Sequence, residues 1–192
     1  MLMTYDMIRN SLSNYKQPDN KIKRMTDSKE IIKLTKNIYE TDKNNPGFLY
    51  ANVLYGPSYI SFEYALSYHG LIPETVYVYT SATFKKKKKK TYQNLFGTYT
   101  YRDIPEKAYP FDILLIEDNI YPYSIASSEK ALCDKLYTLK SIRTIKDLKI
   151  VLFEDLRIGK NAFYKLDLNK LSALCDLYNS TTLTTLKKMI GD

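Results

Sequence analysis

Tryptophan is absent from these 192 residues, histidine occurs once, cysteine twice and glycine only six times. A single histidine, His69, excludes histidine-rich metal sites and most two-histidine chemistry. Cys133 and Cys175 are far apart and have no companions, which argues against zinc. Both fall on apolar faces of expected helices, so they read as buried free thiols. No glycine-rich phosphate loop is present, and nucleotide hydrolysis therefore has no support. No apolar run approaches about 18 residues, and no secretory leader precedes the first helix. The expectation is a soluble, cytoplasmic protein with no membrane partner, metal or cofactor. The length allows one or two domains and a real hydrophobic core without disulfides. Tyrosine, by contrast, is abundant at 19 residues. Much of that excess, like the wealth of lysine, reads as an adenine–thymine-rich coding bias.

The formal charge of +8 is concentrated. Residues 1–45 carry nine basic and six acidic groups, and Lys85, Lys86, Lys87, Lys88, Lys89 and Lys90 form one uninterrupted run. The rest of the chain is close to neutral. Localised positive charge on a neutral body suggests an anionic partner at a defined place. Six adjacent like charges repel one another, so the run is expected to be an exposed, mobile loop. It reads either as a solvated loop or as a contact to DNA phosphates or an acidic partner surface. Phosphate contacts confer affinity without sequence specificity.

Along the chain, Tyr5, Ile8 and Leu12 recur at helical spacing from Thr4, a candidate cap, to Tyr15. Lys16-Gln17-Pro18 breaks the pattern. Asp19 can cap a second helix over residues 20–26, with Ile22 and Met25 on one side and Lys21, Lys23 and Arg24 largely on the other. Ile31 to Tyr39 reads as a hairpin bent at Asn37. Helix, basic helix, hairpin is the order of the later part of a winged helix. In such a unit the basic helix enters the DNA major groove, and Lys33 and Lys36 lie near phosphates. The alternative is a solvated face on a small capping unit. Lys43-Asn44-Asn45-Pro46-Gly47 reads as a linker, dividing a domain over 1–45 from one over 46–192.

Beyond it, Ser61 stands where a cap would satisfy the first amides of a helix carrying Tyr64, Ala65, Leu66 and Tyr68. Gly70 suits the left-handed position at its end and Pro73 prevents restart. Strands are expected over 76–80 and 98–102, and a hairpin over 112–125 turning at Asp118-Asn119. From Ser128 the period becomes helical, with further helices over 145–156, 168–178 and 184–190. The fold class is therefore α+β: a short winged-helix-like unit, then a hairpin-fed sheet over 46–127 and a helical part over 128–192.

Few residues suggest catalysis. Asp112, Glu117 and Lys130 are candidates for a metal-dependent nuclease site, but Asp112 and Glu117 have opposite parity in one strand and would face opposite sides. His69, just before Gly70, reads as a group that packs or binds helix-end carbonyls. Glu129 and Lys130 open a helix that Ser127 or Ser128 can cap.

Four stretches carry a resemblance: 57–74, Thr80-Ser81-Ala82-Thr83, 96–105 (Phe-Gly-Thr-Tyr-Thr-Tyr-Arg-Asp-Ile-Pro) and 125–137 (Ile-Ala-Ser-Ser-Glu-Lys-Ala-Leu-Cys-Asp-Lys-Leu-Tyr). In wording, order and spacing they resemble the AbiEi-type antitoxins of type IV toxin–antitoxin and abortive phage-infection systems, with a shortened N-terminal part. The resemblance implies a non-enzymatic antitoxin that counteracts a cognate nucleotidyltransferase-like toxin and represses its own operon by binding operator DNA. It implies mainly structural roles for Ser61, Glu63, His69, Arg102, Glu129, Lys130 and Asp134, and no small-molecule substrate. Arg102, at a strand end, is expected to pair with Asp134 or Glu129. A stand-alone DNA-binding regulator and a nuclease are the alternatives.

Overall fold

The computed structural model describes residues 1–191. The N-terminal unit is a three-stranded antiparallel sheet, β1 (Leu2–Thr4), β2 (Ile32–Lys33) and β3 (Ile38–Glu40), in the order β1-β3-β2. Helices α1 (Tyr5–Ser11) and α2 (Pro18–Asp27) join its first two strands. Ile8, Ile22, Ile31 and Tyr39 form its own small core. The expected helix from Thr4 to Tyr15 is shorter at its far end, stopping at Ser11 with Leu12 as its C-cap. Thr4 does cap it, its side chain accepting from the Met7 amide at 3.2 Å. Asp19 does not cap α2. Gln17 holds that position, Pro18 supplies a first turn that needs no donor there, and Asp19 accepts instead from Tyr5 and Arg9.

The main unit contains α3 (Ala51–Leu54), β4 (Tyr59–Ile60), α4 (Phe62–Tyr68), β5 (Val78–Thr83), β6 (Lys90–Asn94), β7 (Gly97–Asp103), β8 (Ile113–Ile116) and β9 (Tyr123–Ala126). Helices α5 (Ser128–Tyr137), α6 (Ile145–Ile150), α7 (Lys160–Phe163), α8 (Leu168–Cys175) and α9 (Thr181–Gly191) follow. A π-helical turn over Val151–Asp155 continues α6. The six strands lie in the order β6-β7-β5-β4-β9-β8, forming a mixed sheet. β5 pairs in parallel with β7 and β4 with β9, while the other neighbours are antiparallel. No helix among the described residues is long and apolar enough to cross a membrane.

Alternation along the strands divides the sheet's two faces. Tyr99 and Tyr101 point one way, onto the segment from Gly47 to Leu54, and donate to the carbonyls of Gly47 at 2.9 Å and Ala51 at 2.7 Å. Tyr59, Thr80 and Arg102 point the other way, toward α4 and α5. Helix α5 packs in turn on α8 and α9. Cys133 and Cys175 are buried free thiols.

The stretch read as a linker is tied down. Gly47 is buried, and a β-carbon there would collide with the Phe96 carbonyl and the Tyr79 ring. Leu2, Leu34 and Ile38 of the N-terminal unit pack into the main core. Glu40 is fully buried, accepting from Tyr50 at 3.0 Å and Tyr121 at 2.9 Å, and also from the Met1 amino group and the Thr41 and Asp42 amides. Burial pushes its carboxyl up, but these donors outweigh burial and hold it below the usual carboxylate range.

Candidate functional site

Four separated stretches of sequence meet around α4 and α5. In the parallel pairing of β5 with β7, Ala82 stands beside Arg102 and Thr83 beside Asp103. On the other side of β5, β4 brings Tyr59 beside Ala82 and Ile60 beside Ser81. β9, which leads into α5, lies next to β4. The motif blocks are therefore neighbours in space.

Their polar side chains mostly bond to one another. Ser61 occupies the N-cap position of α4 but makes no side-chain cap. Its hydroxyl instead donates to Asp134 at 2.6 Å. The vacant capping role passes to Thr80 on β5, which accepts from the Tyr64 amide at 3.0 Å and donates to the Ser61 carbonyl at 2.6 Å. A strand thus supplies the cap that sequence assigned to Ser61. At the other end Gly70 does adopt the left-handed conformation, at φ +69°, and His69 donates from Nε2 to the Ala126 carbonyl at 2.7 Å.

Beneath this surface lies a closed ionic network. The Lys130 ammonium donates to the Ala108 carbonyl and the Tyr178 hydroxyl, both at 2.6 Å, and stands 3.3 Å from Asp134. Asp134 also accepts from Tyr59 at 2.9 Å and Tyr178 at 2.5 Å. Lys130, Asp134, Ser61 and Tyr59 have no exposed surface. Burial lowers the Lys130 pKa, with Asp134 acting against it, and burial raises the Tyr59 and Tyr178 hydroxyls. The network joins β4, α5 and the segment that follows α8.

The accessible part is a groove of about 400 Å³ lined by Lys87, Lys88, Lys89, Arg102, Asp103, Tyr137 and Thr138. Arg102 does not reach Asp134 or Glu129. It pairs with Glu63 at 3.1 Å and lies over the Phe62 ring at 4.9 Å. Asp134 is already sequestered inside, and Glu129 is turned toward Lys170 and the Asp167 amide. Lys135 joins the surface pair, donating to Glu63 at 2.7 Å. Burial raises the Glu63 carboxyl, but Lys135 and Arg102 together more than reverse this and hold it below its ordinary value.

Apart from the half-buried Lys86, the lysine run is exposed, as repulsion requires, yet anchored. Asp103 accepts from the Lys87 amide at 2.6 Å and from the Thr83 hydroxyl at 2.7 Å, while Lys85 and Lys87 adopt left-handed backbone conformations. Three of its six lysines are engaged. Lys85 pairs with Glu106 at 2.6 Å, Lys86 reaches the Gly56 carbonyl at 3.0 Å, and Lys90 lies over Tyr92 at 5.6 Å. Lys87, Lys88 and Lys89 have no acidic partner among the described residues and face the groove. A groove holding these cations and Arg102 against one internally bonded aspartate suits an anion.

On the N-terminal unit, Lys23, Arg24, Lys33 and Lys36 are exposed and Lys21 is half-buried beside the Tyr15 ring. The groove and this unit are separate groups of cations in the sequence.

The nuclease candidates are not brought together. Asp112 precedes β8 in a left-handed conformation, binding Ser127 and Lys170. Glu117 is exposed just beyond the same strand, and Lys130 is buried against Asp134. Sequence reasoning missed Tyr137 and Thr138 as groove residues and Lys135 as a partner of Glu63. Helical spacing from Ser128 placed them on or near one helix, but only the fold shows that its end at Tyr137 faces the groove. No family model matches the chain, and no curated protein matches it; the antitoxin resemblance stands on the motif residues alone.

Proposed function

We propose that this protein is a non-enzymatic antitoxin of the AbiEi type, which counteracts a nucleotidyltransferase-like toxin and represses its own operon by binding promoter DNA. The observation that carries the reading is the convergence of the four resembling blocks. Their polar residues complete one another's caps and ion pairs, as expected of motifs that define a scaffold rather than a reaction centre. Two further features support the DNA-binding half. The N-terminal unit joins a small antiparallel sheet to a second helix carrying Lys21, Lys23 and Arg24, which is compatible with the winged-helix reading, and Lys87, Lys88 and Lys89 offer free cations for phosphates.

The test is co-expression with the adjacent gene, scored by growth. Rescue of cells from that gene's toxicity supports the reading, and unrelieved toxicity with soluble protein present overturns it. A DNA-binding regulator without a toxin rests on the same cationic surfaces. It would bind its promoter while the neighbouring gene proves harmless.

A further inference from the structure

The two edges of the six-stranded sheet are unlike. β6 presents lysine and polar side chains, features that discourage another strand from pairing. β8, the opposite edge, reads Ile-Leu-Leu-Ile and carries no such guard. Leu115 is 67% exposed and Leu114 39%, and because neighbouring side chains alternate, apolar surface is open on both faces of the strand. Phe111 before it and Ile120 after it are 50% and 42% exposed. Apart from its pairing with β9, the β8 backbone makes no backbone hydrogen bond to another strand among the described residues. An edge both apolar and unpaired is a template for strand addition.

Charge identifies the occupant. Glu117 and Asp118 follow β8 directly, are exposed, and form no ion pair among the described residues. They make an acidic spot on a chain of net charge +8. A second copy would bring the same acids and the same net positive charge, which disfavours self-pairing. We propose that β8 is the docking edge for an extended strand of a different protein, one whose apolar side chains cover Leu114 and Leu115 and whose lysine or arginine side chains reach Glu117 and Asp118. This surface is distinct from the cationic groove, and the proposal does not depend on the antitoxin reading.

The probe is a synthetic peptide of four consecutive valines flanked at both ends by lysines, so that valine meets both faces, measured by fluorescence anisotropy against the full chain. Binding is expected, with slowed amide hydrogen exchange over Ile113–Ile116. Leu115→Lys and Glu117→Lys, both at exposed positions, are each expected to weaken it by at least about tenfold while the protein melts like the parent. Methylating alternate peptide amides should abolish binding, because backbone pairing is lost. Equal binding by Leu115→Lys, or by a peptide carrying glutamate in place of lysine, overturns the proposal. So does a dimer in sedimentation velocity that Leu115→Lys dissolves, which would make the occupant a second copy.

Discussion

Asp134→Asn removes one charge from the buried pair and leaves the other in place. The carboxylate accepts from Tyr59, Ser61 and Tyr178 and balances the Lys130 ammonium, with no exposed surface on either member of the pair. An amide has one accepting oxygen where the carboxylate has two, and its nitrogen donates toward groups that already donate. Lys130 would keep the Ala108 carbonyl and Tyr178 hydroxyl but lose its counter-charge. Breaking a buried pair in this way costs about 3–5 kcal/mol. In a domain of this size each kcal/mol shifts Tm by about 2–4 °C, so a fall of about 6–20 °C is expected by circular dichroism. Lys130→Met and the double variant complete a cycle. The double should lose less than the sum of the singles, with a coupling of about 1–3 kcal/mol. Growth rescue should decline together with Tm. An Asp134→Asn protein melting within about 2 °C of the parent would refute the reasoning. One that melts normally yet fails to rescue would point to a recognition role for this residue.

The Glu40, Glu63 and Glu129 carboxyls are held below the ordinary value of 4.5, so between their folded values and 4.5 the unfolded chain binds more protons. Their stabilisation is complete above that window and lost as pH falls through it; Glu63→Gln should flatten the slope of urea-unfolding stability there, and an unchanged slope refutes the assignment. Neutralising Lys87, Lys88 and Lys89 should weaken DNA binding about equally for all sequences and reduce the salt slope by roughly one per lost phosphate contact. Arg24→Ala should instead erode discrimination between operator and random DNA by about 1–3 kcal/mol, and an intact specificity ratio would remove α2 as the reader. A chain beginning at Pro46 should still rescue cells, but it strips Tyr50 and Tyr121 of Glu40. Leaving the buried Tyr50 hydroxyl without its acceptor costs about 1–3 kcal/mol, so Tm should fall as well; a folded truncation without rescue would separate antitoxicity from the main unit.

Local chemistry was legible at several positions that depend on neighbours in sequence, though not at Asp19, which binds Tyr5 and Arg9 and caps nothing. The helix ending at Gly70, a serine cap on α5 (Ser127 of the two candidates), the Asp118-Asn119 hairpin and the Thr4 cap all rest on contacts within a few residues, which composition and spacing encode. The lysine run was legible in part: repulsion exposes most of it, but Lys86 is half-buried and Lys90 opens strand β6. Partner choice across elements was not legible. Ser61 was assigned its default capping bond, but in the folded chain Asp134 competes for its hydroxyl and Thr80 takes over the cap. Arg102 was matched to acids with suitable chemistry, whereas strand register placed it beside Glu63. The tyrosines attributed to coding bias include Tyr59, Tyr99, Tyr101 and Tyr178, which carry hydroxyl bonds through the core. A sequence lists the groups able to pair. Which of them are buried together, where an unmet bond costs most, is decided by the register of β5 against β7 and the packing of α5.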